Sequence, residues 1–215
     1  MKKIITISRE YGSGGRSIGK KVADRLGISF YDSEIIDMAA ETSGLSKEFI
    51  SRTEQSISSG LLYTLLLGTS YATPGTTGLH AGTRASMSIP LADQVFNAQR
   101  QVVIDLAKKG PCVIVGRCSD YILTHTEEIN KDDVLNVFIY APLEFKAKRA
   151  VELKGLDEAN ARKDVKLIDK RRANHYNTFT EQTWGDRKYY HALLNSSLFG
   201  IDGTADIIVN LVQHT

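Results

Sequence analysis

Residues 4–19 read IITISREYGSGGRSIG, an apolar segment followed by a glycine-rich one. This order predicts a buried strand, then a tight turn, then the start of an amphipathic helix. Such a turn can hold a phosphate, because glycines let backbone N–H groups approach an anion and the helix N-terminus adds positive potential. The predicted phosphate-binding residues are Gly12, Ser13, Gly14, Gly15, Arg16 and Ser17.

The second half of this segment matches the end of a P-loop, with arginine where the motif has lysine. In phosphoryl transfer such a loop holds the phosphates of ATP, and its hydroxyl residue binds Mg²⁺. We therefore expect Arg16 to contact the phosphates and Ser17 to be the metal ligand. The first glycine of the motif falls on Glu10, whose carboxylate would repel a triphosphate. We expect Glu10 to turn outward and pair with Arg9.

Strand and helix signals alternate along the chain. Apolar runs predict strands at residues 3–8, 28–31, 112–115 and 134–140, and either a last strand or part of a C-terminal helix at 207–209. Periodic segments predict helices at 17–26, 34–42, 45–55, 91–109 and 157–177, and another that begins near 141. The alternation predicts an α/β protein whose parallel sheet carries helices on both faces. We expect a three-layer P-loop NTPase fold with a five-stranded sheet, in a single domain over residues 1–215.

Three polar motifs directly follow predicted strands. The glycine-rich turn follows the first strand, Asp32 and Ser33 follow the second, and Arg117 follows the third. Ligands of parallel sheets bind outside the carboxyl ends of the strands. We therefore expect Asp32, Ser33 and Arg117 to bind substrate, with the planar fork of Arg117 on an acceptor phosphate. A salt bridge at the sheet edge is the alternative for Arg117.

Arginines flank the strongly charged segment at residues 154–170. Arg149 precedes this segment, Arg171 and Arg172 follow it, and Asp169 lies three residues before Arg172. Arginines on a mobile flap can close over a transferring phosphate and exclude water, so we expect a helical lid at residues 150–180. The alternative is an ordinary solvated helix face.

Residues 56–90 differ in composition from the rest of the chain. They are rich in serine, threonine and glycine, and Arg84 is the only Lys, Arg, Asp or Glu among them. Long irregular segments in compact domains are often functional lids or disordered linkers, and composition does not distinguish these. We interpret this segment as an insert.

Composition excludes several classes of protein. With 27 Lys and Arg against 25 Asp and Glu, the formal charge is +2, which gives no support for nucleic-acid binding. No apolar run reaches membrane-spanning length. Cys112 and Cys118 flank a predicted strand and are expected to be buried thiols of a reducing cytosol. We expect a cytoplasmic protein with a small nucleotide substrate and neither nucleic-acid nor membrane partners, and the oligomeric state stays open.

With these residues in place, the chain resembles the cytidylate kinase-like branch of the nucleoside monophosphate kinases. The resemblance covers nearly the whole length, and residues 7–16, ISREYGSGGR, are its most distinctive segment. Weaker matches lie at residues 30–32, 115–118, 139–144 and 184–186, and at Tyr190 and Asn195. The resemblance implies phosphoryl transfer from ATP with Mg²⁺ to CMP or dCMP, with residues 38–90 as the acceptor-binding insert.

The resemblance also implies roles for individual residues. Asp32 and Ser33 look like the pair that contacts the acceptor nucleotide, and Arg117 looks like the arginine that holds its phosphate. Asp169 and Arg172 resemble an Asp-x-x-Arg element near the lid. The residues that would stabilise the transition-state charge are Arg16, Arg149, Arg171 and Arg172.

Several positions depart from the pattern of this family. Both acids that flank its Gly-Arg core are absent, at Val115 and Cys118, and Met38 stands where an acceptor-phosphate arginine is expected. These departures leave the acceptor open. They also leave a non-catalytic nucleotide-binding sensor or scaffold as the main alternative.

A dinucleotide-binding protein is the less favoured alternative. Gly12 and Gly14 provide two of the required glycines, and Asp32 ends the second predicted strand. The third glycine position, however, is Ser17, and an arginine-serine pair has no function in that motif.

Overall fold

The computed structural model describes residues 3–48, 50, 91–155 and 157–214. Five strands and seven α-helices alternate within these ranges. The strands are β1 (Ile4–Arg9), β2 (Ser29–Tyr31), β3 (Cys112–Val115), β4 (Val134–Tyr140) and β5 (Ala192–Asn195). The helices are α1 (Gly15–Leu26), α2 (Glu34–Ser43), α3 (Leu91–Lys108), α4 (Ser119–Thr124), α5 (Leu143–Lys154), α6 (Glu158–Thr180) and α7 (Ser196–His214).

The sheet is parallel throughout, with the spatial order β2-β3-β1-β4-β5. Strand β1 lies at its centre, where Ile5 is opposite Val113 of β3 on one side and Leu135 of β4 on the other. A strand that is buried on both faces needs a nearly continuous apolar sequence, as β1, β3 and β4 have. The glycine-rich turn after β1 therefore lies at the middle of the carboxyl edge of the sheet.

Helices cover both faces of this sheet. Successive side chains of a strand point to opposite faces, so Ile5 packs with Ile18 of α1 and Ile208 of α7. Ile4 faces the other side and belongs to a cluster that includes Ile122 of α4 and residues of α2 and α3. The predicted fold class, a parallel five-stranded sheet with helices on both faces, is confirmed.

The position of the fifth strand corrects the sequence prediction. Of the two alternatives for residues 207–209, the C-terminal helix is confirmed and the strand is wrong, because these residues lie inside α7. The buried residues Ala205, Ile208 and Val212 recur there at helical spacing, and α7 packs on α1. The sheet instead ends with β5, whose four residues lie between polar segments and are too few to show a strand pattern.

The other predicted elements lie within a few residues of their expected positions. Helix α1 begins at Gly15, two residues earlier than expected, and α6 ends three residues later than expected. Most of the predicted helix at 45–55 and of the insert at 38–90 lies outside the described residues. No helix in the described ranges is long and apolar enough to cross a membrane.

Candidate active site

The turn between β1 and α1 has the backbone of a phosphate-binding loop. Gly12 and Gly14 adopt φ values of 80° and 85°, which L side chains rarely tolerate, and α1 begins directly afterwards at Gly15. A Cβ on Gly12 would lie 2.5 Å from the carbonyl oxygen of Lys146 in α5. The turn therefore requires glycine at this position, and it leads into a helix N-terminus that carries no acidic residue in its first turn.

Glu10 turns towards α5, and its predicted partner Arg9 is wrong. Glu10 Oε2 accepts a hydrogen bond from the backbone N–H of Ala141 (3.1 Å) and lies 2.8 Å from Lys146 Nζ. The start of α5 offers both an N–H group and a buried cation, and no signal local to residues 9–11 indicates either. The carboxylate at the first P-loop position is thus neutralised by a residue far away in the sequence.

Asp32 lies between two arginines at the end of β2. Its carboxylate is 2.7 Å from Arg16 Nε and 3.5 Å from Arg9 Nη2. The Arg9 guanidinium lies against Gly116, where a Cβ would collide with it. Asp32 is buried, whereas Ser33 is exposed at the start of α2. Asp32 therefore joins the P-loop helix to the arginine at the end of β1.

Arg149 of α5 lies over the start of α1. Its Nη2 donates a hydrogen bond to Ser17 Oγ at 3.3 Å, next to the glycine-rich turn. Arg149 thus reaches the hydroxyl that the sequence identifies as the metal ligand.

Helix α6, the main part of the predicted lid, contacts the first half of the turn. The backbone N–H of Tyr11 donates to Asp169 Oδ1 (2.6 Å), and Asp169 Oδ2 lies 2.8 Å from Lys146 Nζ. Arg172 Nη1 donates to the carbonyl oxygen of Arg9 (3.0 Å). The contacts with Tyr11 and Arg9 hold α6 against the carboxyl end of β1, and the contact with Lys146 joins α6 to α5.

A cavity of about 420 Å³ lies beside this turn and is lined by cationic side chains. None of the ten described residues that line it is acidic. They are Arg9, Arg117, Arg171, Arg172, His175, Ser8, Cys118, Ile168, Tyr176 and Trp184. Such an excess of positive charge favours an anionic ligand.

The arginines of this cavity are electrostatically and sterically constrained. Burial lowers the pKa of Arg172 from its ordinary value; Asp169 opposes this shift, and the like charge of Arg117 adds to it. Arg171 Nε is buried and has no hydrogen-bond partner among the described residues. Arg117 adopts φ of 58°, a left-handed conformation that costs about 1–2 kcal/mol for a non-glycine residue. A bound anion would satisfy both the charge and the unpaired donor.

The model of the cytidylate kinase-like family matches residues 4–198. The chain belongs to the cytidylate kinase-like family. A search of curated proteins found no match.

Solved structures share the fold of this family member. An uncharacterized protein from Eubacterium ventriosum is 23% identical with a TM-score of 0.66, and the match covers 100% of both chains. A shikimate kinase from Acinetobacter baumannii, solved with shikimate, is 14% identical with a TM-score of 0.51 over 100% of this chain and 94% of that one. A shikimate kinase from Bacteroides thetaiotaomicron is 12% identical, also with a TM-score of 0.51, over 98% of each chain. At these identities the likeness shows the fold alone.

The family motif has an acidic residue where this chain has Cys118, and an acidic residue follows here two positions later. Asp120, in the first turn of α4, is fully buried, and it accepts a hydrogen bond from the Tyr176 hydroxyl at 2.8 Å. The Ser8 hydroxyl lies 3.4 Å from its other oxygen. Burial raises the pKa of Asp120, and the hydrogen bond from Tyr176 only partly offsets this. Asp120 thus contacts two residues that line the cavity, Ser8 and Tyr176, but is not among the lining residues itself.

Most residues that the sequence predicted as functional meet at this end of the cytidylate kinase-like fold. Ser33 directly follows Asp32 and is exposed at the start of α2, as Arg16 and Ser17 are at the start of α1. The residues that meet are Arg16, Ser17, Asp32, Arg117, Arg149, Asp169, Arg171 and Arg172. The sequence analysis assigned no role to Lys146 or His175, and Trp184 entered it only through the family resemblance. One signal for Lys146 was available in the sequence. Lys146 directly precedes the buried Ala147 and lies one helical turn before the buried Ala150, so the spacing of α5 puts it on the buried side.

Proposed function

We propose that the protein is a P-loop kinase that transfers the γ-phosphate of ATP to a small anionic acceptor. The observation that carries this proposal is the junction of two anion sites. The glycine turn and the four-arginine cavity adjoin at the carboxyl edge of the sheet, and Arg9 contributes to both. Phosphoryl transfer to an anionic acceptor needs two neighbouring anion sites, because donor and acceptor must be brought together against their mutual repulsion.

On the donor side, the backbone amides of the turn bind the phosphates of ATP, and Arg16 provides the cation of the missing lysine. Arg16 is paired with Asp32 at 2.7 Å, and Ser17 with Arg149 at 3.3 Å. A nucleotide would take the terminal nitrogens of Arg16 while Nε keeps Asp32, and it would replace Arg149 as the partner of Ser17. The exposed hydroxyl of Ser17 fits Mg²⁺, which in kinases takes one or two protein oxygens beside those of the phosphates. The ion would neutralise charge on the β- and γ-phosphates.

On the acceptor side, the cavity arginines bind an anionic group of the substrate. The forked donors of Arg117 and Arg171 suit a phosphate or carboxylate, and Trp184 offers an aromatic wall for a ring. CMP and dCMP combine a phosphate with a planar ring and are the leading acceptors. Asp32 is linked to this side through Arg9, which lines the cavity and pairs with the Asp32 carboxylate.

Catalysis in this proposal depends on positive charge placed around the transferring group. Arg16 and Arg149 lie on the donor side, and Arg171 and Arg172 lie on the lid helix at the cavity. Such preorganised cations stabilise the charge of the transition state. Closure of the helices at residues 150–180 would exclude water from the reaction.

A two-part experiment tests the proposal. Binding of a non-hydrolysable ATP analogue with Mg²⁺ is measured by calorimetry, and turnover is measured with ATP over CMP, dCMP, the other nucleoside monophosphates and small hydroxy acids such as shikimate. We expect micromolar to millimolar nucleotide affinity and turnover with one acceptor class. An R117A variant should lose acceptor affinity, and R162A, whose arginine pairs with the exposed Glu144, is the matched control.

Two results would contradict the kinase proposal. Tight nucleotide binding without turnover on any acceptor favours the non-catalytic sensor or scaffold, an alternative motivated by the Arg16–Asp32 and Arg149–Ser17 pairs. Failure to bind any nucleotide removes both. The dinucleotide alternative is disfavoured already, because β1 has β3 and β4 as neighbours, whereas in a dinucleotide-binding fold β1 is next to β2.

A further inference from the structure

Lys146 is a buried cation held between two carboxylates. Its side chain is only 8% exposed, and Nζ lies 2.8 Å from both Glu10 Oε2 and Asp169 Oδ2. Burial by itself would lower the pKa of Lys146, but the hydrogen bonds to Asp169 and Glu10 outweigh that effect and raise the pKa above its ordinary value. Lys146 is therefore charged throughout the physiological pH range.

The three side chains connect the turn to both helices of the predicted lid region. Glu10 belongs to the turn and also accepts from the N–H of Ala141 just before α5. Asp169 belongs to α6, and its second oxygen accepts from the N–H of Tyr11 in the turn. Lys146, on α5, is the one member that bonds to both of the others. Removing it would break both carboxylate bonds at the first P-loop position, while the hydrogen bonds from Ala141 to Glu10 and from Tyr11 to Asp169 would remain.

The charge of this cluster bears directly on phosphate binding. Glu10, Asp169 and Lys146 together carry a net charge of −1, and without the lysine the net charge would be −2. Glu10 occupies the first P-loop position, which is otherwise a glycine without charge. A second uncompensated carboxylate at this position would repel a nucleoside triphosphate in the adjoining turn.

We propose that Lys146 is a positioning residue of the nucleotide site, which neutralises Glu10 and fixes the lid helix to the turn. This inference rests on the proposed function, since it requires a triphosphate at the turn. Lys146 acts through its two carboxylate partners and does not touch the nucleotide. Its neutralising effect governs nucleotide affinity, and its bond to Asp169 governs the position of Arg171 and Arg172 during turnover.

The test separates the effect of charge from that of structure. Affinity for a non-hydrolysable ATP analogue with Mg²⁺ is measured for wild type, K146M, K146R, E10Q and the double variant K146M/E10Q, with thermal unfolding as the check of folding. We expect K146M to bind about tenfold more weakly, the effect of one added charge at an intermediate effective dielectric. K146R should stay near wild type. K148M, which removes an exposed lysine from the same helix, is the matched control and should bind as wild type does.

The double variant gives the decisive comparison. K146M/E10Q has the same net cluster charge as the wild type, so its nucleotide affinity should return to the wild-type value. Its kcat should stay low, because Asp169 still lacks its partner on α5. A role in packing alone would leave the affinity of the double variant as low as that of K146M, and that result would overturn the proposal.

E10Q keeps the proposal testable even if K146M does not fold. The glutamine oxygen can still accept from the N–H of Ala141, while the cluster becomes neutral, so the ATP analogue should bind as tightly as to wild type or more tightly. Weaker binding by E10Q would contradict the neutralising role. If wild type binds the analogue and K146M binds it equally well, this inference alone fails. If wild type binds no nucleotide, the proposed function fails first.

Discussion

Arg16 stands where a P-loop has lysine, and its surroundings differ from those of a free cation. Nε of Arg16 lies 2.7 Å from Asp32, whose second contact is Arg9. A guanidinium has a fixed fork of donors, so it can bond to this carboxylate with Nε and still present its terminal nitrogens to a phosphate. The arginine is thus compatible with a donor site, although one of its nitrogens is bonded to Asp32.

The first prediction concerns this arginine. R16A should lower kcat by about 10²–10³ if the guanidinium stabilises the transition state. R16K should not restore the full rate, because an ammonium cannot bond to Asp32 and a phosphate in the same planar geometry. Turnover is measured with the acceptor found by screening, and K20A, at an exposed position of α1, is the control. Full activity of R16A would remove Arg16 from the mechanism.

A second prediction concerns Gly12, where backbone and packing act together. G12A should destabilise the fold and abolish nucleotide binding, because its Cβ would meet the Lys146 carbonyl oxygen in addition to the unfavourable φ. G27A is the matched control: Gly27 also has positive φ, but nothing lies within 4 Å of its Cβ position. Urea unfolding should show a loss of about 1–2 kcal/mol for G27A and a larger loss for G12A. Equal losses would show that the steric contact is unimportant.

At the scale of elements, the sequence predicted those parts whose pattern is local. The β1–turn–α1 unit was predictable because a buried strand, glycines and an amphipathic helix follow one another within 26 residues. Strand β5 was not, because its four residues carry no period that separates them from a loop. Residues 207–209 are apolar and β-branched, which suits a buried strand as well as a buried helix face. The packing of α7 on α1 shows that they form a helix.

Two arginines of helix α6 lie in different surroundings, and this difference leads to a third prediction. Arg171 faces the cavity, whereas Arg162 is exposed and pairs with Glu144. R171A should raise the acceptor KM by about 10- to 100-fold, the loss of one or two charge-assisted hydrogen bonds, and should leave the affinity for the ATP analogue unchanged. R162A should change neither quantity. A parallel loss of ATP affinity in R171A would place this arginine on the donor side.

At the scale of the whole molecule, the site depends on contacts between distant parts of the chain. Lys146 and Glu10 are separated by 136 positions, and the hydrogen bond from Tyr11 to Asp169 spans 158. Nothing in the sequence around Glu10 or Lys146 indicates that the two residues pair. For this reason the sequence analysis predicted the adjacent Arg9 as the partner of Glu10. The residues that line one edge of the sheet could be predicted from topology, but their pairing required coordinates.

The buried carboxyl of Asp120 leads to a fourth prediction, on the stability of the whole fold. Its pKa in the folded protein is raised by burial above the ordinary value of about 3.9. Its stabilising contribution is therefore complete below that value and is lost as pH rises through the folded pKa, because the charged form is disfavoured inside the protein. D120N stays neutral at every pH. The unfolding free energy of wild type minus that of D120N should fall as pH rises from about 4.

Urea unfolding of both proteins between pH 4 and 8 checks this prediction. D105N, which alters an exposed carboxylate of α3, is the control and should keep the pH dependence of the wild type. Identical pH slopes for wild type and D120N would show that Asp120 ionises in the folded protein as easily as in the unfolded chain.

The central place of β1 also has a consequence for the order in which the molecule folds. Both neighbours of β1 come much later in the chain: β3 begins at Cys112 and β4 ends at Tyr140. At synthesis rates of about 5–20 residues per second, β1 waits several seconds for either partner. During that time its isoleucines are exposed, and long-range parallel pairing is intrinsically slow. The glycine turn is therefore encoded early in the chain, and the strands on either side of it are complete only after residue 140 has emerged.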